Sequence, residues 1–87
     1  MIYRLEIVPA AQKELSLLPL RDRKRVDDRI RSLAENPRPP GAIALSGHKD
    51  LFRLRVGSYR VIYRIREEVL LVLIVKVGHR REVYRNL

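Results

Sequence analysis

Leu51-Phe52-Arg53-Leu54-Arg55-Val56-Gly57-Ser58-Tyr59-Arg60-Val61-Ile62-Tyr63-Arg64 is the stretch that decides the fold. Apolar and polar residues alternate on both sides of Gly57-Ser58. Many of the apolar ones are β-branched or aromatic, which predicts the two strands of a hairpin. Gly57 supplies the positive φ that a type II′ turn needs at its first central position. A two-residue loop then sets the register, with Val56 opposite Tyr59, Leu54 opposite Val61 and Phe52 opposite Tyr63. Side chains alternate across a strand, so those six share one face, a predicted core. The other face sets Arg53 across from Ile62, Arg55 across from Arg60 and Arg64 across from Leu51. It is predicted to be a cluster of four arginines. Like charges directly opposite each other destabilise a strand pair by up to about 1 kcal/mol, so this face has use for an anion.

Working outward from the hairpin, Ser46 to Asp50 reads as a turn and Ala42 to Leu45 as a short edge strand. Asn36-Pro37-Arg38-Pro39-Pro40-Gly41 is a stop and a loop. Before it, Val26, Ile30, Leu33 and Ala34 form the buried stripe of a helix over about Leu20 to Glu35. Asp27 and Arg31 stand in the favourable acid-first i, i+4 order. Ala11, Leu15 and Leu18 mark an earlier helix that Pro9 starts and Pro19 ends. The short break between the two predicts an antiparallel helical hairpin. Residues 2–8 alternate and read as a first strand. On the downstream side, Arg66-Glu67-Glu68 is a turn. Val69 to Val75 is apolar on both faces, as in a central strand covered on two sides or one with a face reserved for a partner. Gly78 is expected to break that strand.

With 87 residues the chain is one domain, 1–87. Lys and Arg total 19 against 10 acids, for a net charge of +9. Such a balance favours polyanions: nucleic acid, ribosomes or anionic membranes. Arginine outnumbers lysine by 15 to 4, and its planar fork suits phosphate recognition. There is no cysteine, hence no disulfide framework or thiolate metal site. That usage fits a reducing cytoplasm, and the chain starts without a signal-peptide pattern. The longest apolar run, Val69 to Val75, is too short to span a bilayer as a helix. No Ser-His-Asp arrangement, Gly-rich phosphate loop or paired apolar carboxylates occurs, and two histidines are a weak metal signal.

The arginine face is the informative constellation. If the last strand returns antiparallel beside residues 59–66, its far end lies near Arg60. That would bring His79, Arg80, Arg81 and Tyr84 to the same edge of the sheet, giving a basic cleft with an aromatic rim. Such a cleft grips phosphates, and Tyr84 could stack on an unpaired base. RNA is cleaved without a metal when its own 2′-OH attacks the adjacent phosphate. Arginines then serve by positioning and by electrostatics. A normal arginine is a poor general base, whereas His79 or Lys49 could exchange protons if their surroundings tune them.

Three segments carry a resemblance to a known family: Leu45-Ser46-Gly47, then Phe52 to Tyr63, then Val77-Gly78-His79-Arg80-Arg81-Glu82-Val83-Tyr84. The chain resembles the RelE branch of the RelE/ParE toxin superfamily over nearly its whole length. The resemblance implies an α+β fold. An N-terminal strand and a two-helix antiparallel hairpin precede a mostly antiparallel twisted β-sheet, with the helices on one face and the basic site on the other. It implies the toxin of a type II toxin–antitoxin pair, a ribosome-dependent endoribonuclease that cuts mRNA by 2′-OH attack. The implied partners are a RelB-like antitoxin, ribosomal RNA and mRNA on the ribosome, with no metal, cofactor or membrane. Carried over by position, Arg60 and Arg55 stabilise transition-state charge, Arg80 stands near the leaving oxygen and Tyr84 stacks on a base. Arg53 and Arg55 fall where well-studied members have lysines. Arg53, Arg64, Arg81 and Lys49 are expected to bind RNA, and His79 or Lys49 to carry protons. Two other readings are a ParE-like inhibitor of DNA gyrase and a non-catalytic RNA-binding module.

Overall fold

The computed structural model describes residues 2–79. Its elements in chain order are β1 (Arg4–Ile7), α1 (Pro9–Ser16), α2 (Leu20–Ser32), β2 (Ile43–Ala44), β3 (Leu51–Val56), β4 (Tyr59–Arg66) and β5 (Leu71–His79). The strands form one sheet in the order β1-β5-β4-β3-β2. β1 runs parallel to β5, and every other pairing is antiparallel. This is the expected α+β architecture, with both helices packed on one sheet face.

The hairpin of β3 and β4 has the register that the two-residue loop dictates, from Leu51 opposite Arg64 to Val56 opposite Tyr59. Gly57 has φ +60, and Ser58 is not among the positive-φ residues, as a type II′ turn requires. Pro9 opens α1, and Ala11 and Leu15 turn inward from it. Val26, Ile30 and Leu33 come inward from α2 and its end, meeting Leu54, Val56, Val61 and Tyr63 from the hairpin and Val72, Ile74 and Val77 from β5. α2 stops at Ser32, three residues short of the expected Glu35. Its last turn tightens into i→i−3 bonds from Ala34 to Arg31 and from Glu35 to Ser32 as the chain swings toward buried Pro37. Tyr63, fully buried, donates its hydroxyl to the Pro37 carbonyl at 2.7 Å and fixes that swing. Burial raises the Tyr63 hydroxyl to a pKa of about 12.

Three expectations are corrected here. The turn after β4 spans Glu67 to Leu70, not Arg66 to Glu68. Glu67–Val69 is a single 3₁₀ turn, and Leu70 closes it in the left-handed region at φ 50. The last strand therefore starts at Leu71. It also runs through Gly78 instead of breaking there, because Gly78 pairs with Arg60. The sheet face away from the helices is not purely cationic. Leu51 and Ile62 are buried on it, packed with Leu45 and Val75 into a second small core.

Val75 is also where β5 bulges. Val61 pairs with Val77 but Tyr63 pairs with Ile74, so β5 carries one extra residue between them. The bulge shifts the alternation and lets Val77, like Ile74, face the helices. β1 pairs with β5 only as far as Ile74. Beyond that point Glu14 of α1 covers the open edge, its carboxylate accepting from the Val77 backbone N–H at 3.0 Å and from Lys76 Nζ at 3.4 Å. No helix among the described residues is long and apolar enough to cross a membrane.

Candidate functional site

On the sheet face away from the helices, near the hairpin turn, Arg53, Arg55 and Arg60 line one cavity of about 270 Å³. Alternation along β3 and β4 puts these side chains on that face, and the register sets Arg55 directly against Arg60. β2 supplies a wall: Ile43 pairs with Arg53, and Gly41 completes the lining. Neither Gly41 nor Ile43 stood out in the sequence. Ile43 sits in the short edge strand expected over Ala42 to Leu45, here two residues long, but nothing in the sequence marked it as lining a site.

Three guanidinium groups thus share one concavity, and none of its lining among the described residues is a carboxylate. Arg60 Nε is buried and has no hydrogen-bond partner among the described residues. Leaving such a donor unpaired costs about 1–3 kcal/mol. Arg55 Nε donates to the Gly57 carbonyl at 3.2 Å, which ties its side chain to the turn. A cavity of this kind holds an anion and stabilises negative charge that develops within it. Among the described residues the lining holds no histidine, lysine or carboxylate, so these side chains offer positioning and electrostatics.

The structure separates several residues from this group. Arg64 lies further along the same face and is committed to Asp50 by an ion pair of 2.6 Å. Lys49 is at the far end of the hairpin, in a cavity shared with Arg38, Glu67 and Arg66. His79 is opposite Tyr59, one position past the Arg60–Gly78 pair, and so on the helical face. Its ring stands edge-on to Tyr59 with centroids 6.1 Å apart, and the Tyr59 hydroxyl donates to Asp22 at 3.2 Å. Burial, then the Asp22 bond, raises the Tyr59 hydroxyl above its usual pKa. The expected proton carriers Lys49 and His79 therefore do not face Arg60. Arg80, Arg81 and Tyr84 lie outside the described residues. The antiparallel return of β5 is as expected, and it brings Gly78 beside Arg60.

The cavity's far wall is held by a cluster that sequence reasoning missed. Glu67 accepts from Tyr3 Oη at 2.8 Å and from Arg38 Nη1 at 2.6 Å. The Arg38 guanidinium also lies 5.3 Å from the centre of the Phe52 ring. These bonds, with Tyr63 on Pro37, pin the proline-rich loop that leads to Gly41 and Ile43. Residues 3, 38 and 67 are far apart in sequence and belong to no local pattern.

The family model described as the ParE toxin of the type II toxin–antitoxin system parDE matches residues 5–84. The chain belongs to the RelE/ParE superfamily of toxins. Within that superfamily its relatives carry RelE names. It is 31% identical to toxin RelG of Mycobacterium tuberculosis over 87 residues, covering 99% of this chain and 100% of the relative. The RelE–RelB complex of Pyrococcus horikoshii superposes with a TM-score of 0.83 at 32% identity, covering 95% of this chain and 100% of the other. The intact RelBE toxin–antitoxin complex of Escherichia coli gives 0.78 at 26% identity, covering 88% and 95%. The RelE-like fold is thus that of a toxin from a type II toxin–antitoxin system.

Proposed function

We propose that this RelE-like toxin cleaves mRNA on the ribosome and that the Arg53–Arg55–Arg60 cavity grips the scissile phosphate. The observation that carries the reading is the convergence of three guanidiniums in one cavity with no carboxylate among its described lining residues. A ribose 2′-OH attacks the adjacent phosphorus, a 2′,3′-cyclic phosphate forms, and the 5′-oxygen leaves and takes up a proton. Arg60 and Arg55 stabilise the charge on the phosphoryl oxygens, where fixed cations act without reorganising. Arg53 holds the backbone. Arg80 serves the leaving oxygen, Tyr84 stacks on the base, and Arg81 binds ribosomal RNA. Lys49 and His79 point away from Arg60, so neither of them is assigned as the acceptor of the 2′-OH proton. Relatives solved as toxin–antitoxin complexes support a RelB-like antitoxin as the protein partner.

A second reading rests on the ParE description of the matching family model: inhibition of DNA gyrase by binding. One experiment separates the two. Ribosomes programmed with a defined message are incubated with the purified toxin and cleavage is mapped by primer extension. The nuclease reading expects cuts in the ribosomal decoding site with the native chain and at least a hundredfold fewer with Arg60→Ala, given the usual loss on removing one such donor. Intact message together with inhibited supercoiling would establish the gyrase reading. Salt-sensitive RNA binding without cleavage would reduce the chain to an RNA-binding module.

A further inference from the structure

A second basic groove lies around the corner of the hairpin from the first. Arg25 and Arg29 of α2 line it together with Arg55, Val56, Gly57 and Asp28, and its volume is about 410 Å³. Arg25 and Arg29 are four residues apart and so share one helix face. The flexible end of the Arg25 side chain lies against the turn at Gly57. A Cβ built on Gly57 would stand 2.8 Å from Arg25 Nη2. Arg25 is only loosely paired, with Asp22 at 3.9 Å, and is more than half exposed. Arg55 lines both this groove and the cavity on the sheet face.

We propose that this groove is a second backbone-phosphate site for RNA, and that one strand crosses the hairpin tip from the Arg53–Arg60 cavity to Arg25 and Arg29. The inference rests on the nuclease reading for the first cavity and extends it to nucleotides beyond the cleaved one. Arg55, shared by the two sites, makes them a single cationic track of five guanidiniums. An acidic peptide is a poorer fit, because Val56 is the only apolar side chain among the described lining residues and protein interfaces rely on buried apolar anchors. Asp28 is the one carboxylate among the described residues of the groove. It opposes a phosphate, so its removal should help RNA.

The test is fluorescence anisotropy of a labelled uridine dodecamer and a uridine trinucleotide over a salt series. Arg25→Gln/Arg29→Gln should lower the salt slope for the dodecamer by about 1.4, since each single-strand phosphate contact contributes about 0.7. At about 0.3 M salt that slope change corresponds to a roughly fivefold loss of dodecamer affinity, with trinucleotide affinity falling far less. Arg25→Lys/Arg29→Lys should keep most of the slope, and Asp28→Asn should raise dodecamer affinity. An unchanged dodecamer slope in the Gln pair, with trinucleotide binding still lost in Arg60→Gln, overturns this inference and leaves the first cavity's role intact. A reduced slope in the Gln pair, with Arg60→Gln binding trinucleotide normally, supports this groove and overturns the first reading. Weakened binding of poly-glutamate with unchanged RNA affinity would make the groove a protein site and overturn the proposal. Circular dichroism of each variant checks that it is folded.

Discussion

Arg60 shows how one side chain can serve a site at the expense of the fold. Its Nε is buried without a partner among the described residues, and its guanidinium opposes that of Arg55 across the strand pair. Both features are unfavourable in the free protein, the first by about 1–3 kcal/mol and the second by up to about 1 kcal/mol. Arg60→Met keeps the aliphatic stem while removing the charge and the orphan donor. It should therefore stabilise the isolated domain by about 1 kcal/mol, against the usual direction of a substitution in a strand. Urea unfolding measures this as a higher midpoint with an unchanged slope. A loss of 1 kcal/mol or more would mean that the guanidinium has a structural partner, and the case for an anion site at this position would fail. Toxins of other charge arrangement need not show this trade, but here the geometry sets stability against function at a named atom.

The hairpin of β3 and β4 was legible because each of its signals is local. Gly57-Ser58 fixes the loop length, the loop fixes the register, and alternation then assigns every arginine to a face. β5 was only half legible for the opposite reason. Val69 to Val75 is apolar at every position, so alternation carries no information there, and the bulge at Val75 and the left-handed Leu70 leave no trace in the pattern. The wall of the site was invisible because it depends on the contacts Tyr3–Glu67, Arg38–Glu67 and Tyr63–Pro37, which join distant segments. This cluster has a measurable signature in acid. The Tyr3 hydroxyl bond, then the Arg38 bond, lowers the Glu67 carboxyl below its ordinary 4.5. A group whose pKa is depressed by folding stabilises the fold above its unfolded pKa and loses that contribution as pH falls through the folded value. Thermal stability should thus decline as pH drops below about 4.5, the ordinary value for Glu67, and Glu67→Gln should flatten that limb. Part of the slope should persist, because Glu68 is lowered in the same sense by its own backbone N–H and by Arg66. Melting temperature against pH for the two proteins checks this. Parallel curves would show that the Glu67 cluster is not formed in solution, and with it the support for Gly41 and Ile43 would go.

Over the whole molecule, a net charge of +9 on 87 residues makes the isolated chain self-repelling. The charge is unevenly placed. Arg55 and Arg60 near the turn have no ion pair among the described residues, while at the other end of the sheet Arg64, Arg66 and Arg38 are paired with Asp50, Glu68 and Glu67. Two effects of added salt can therefore be told apart. Screening relieves the general repulsion and depends only on ionic strength. Occupation of the arginine cavity depends on the anion, and a ligand held only by the folded state stabilises it by mass action. Sodium sulfate should thus raise the melting temperature above sodium chloride at equal ionic strength. With sulfate at ten times its dissociation constant the increment is about 1.4 kcal/mol, or about 6–11 °C for a domain this size. Sulfate also strengthens apolar burial in any protein, so the native chain alone does not decide the matter. Arg55→Gln/Arg60→Gln should retain that general increment and lose the remainder. Equal sulfate gains in the two proteins would mean that the cavity binds no oxyanion, and the positive field would then be read as a surface for steering a partner, with no phosphate seat at its centre.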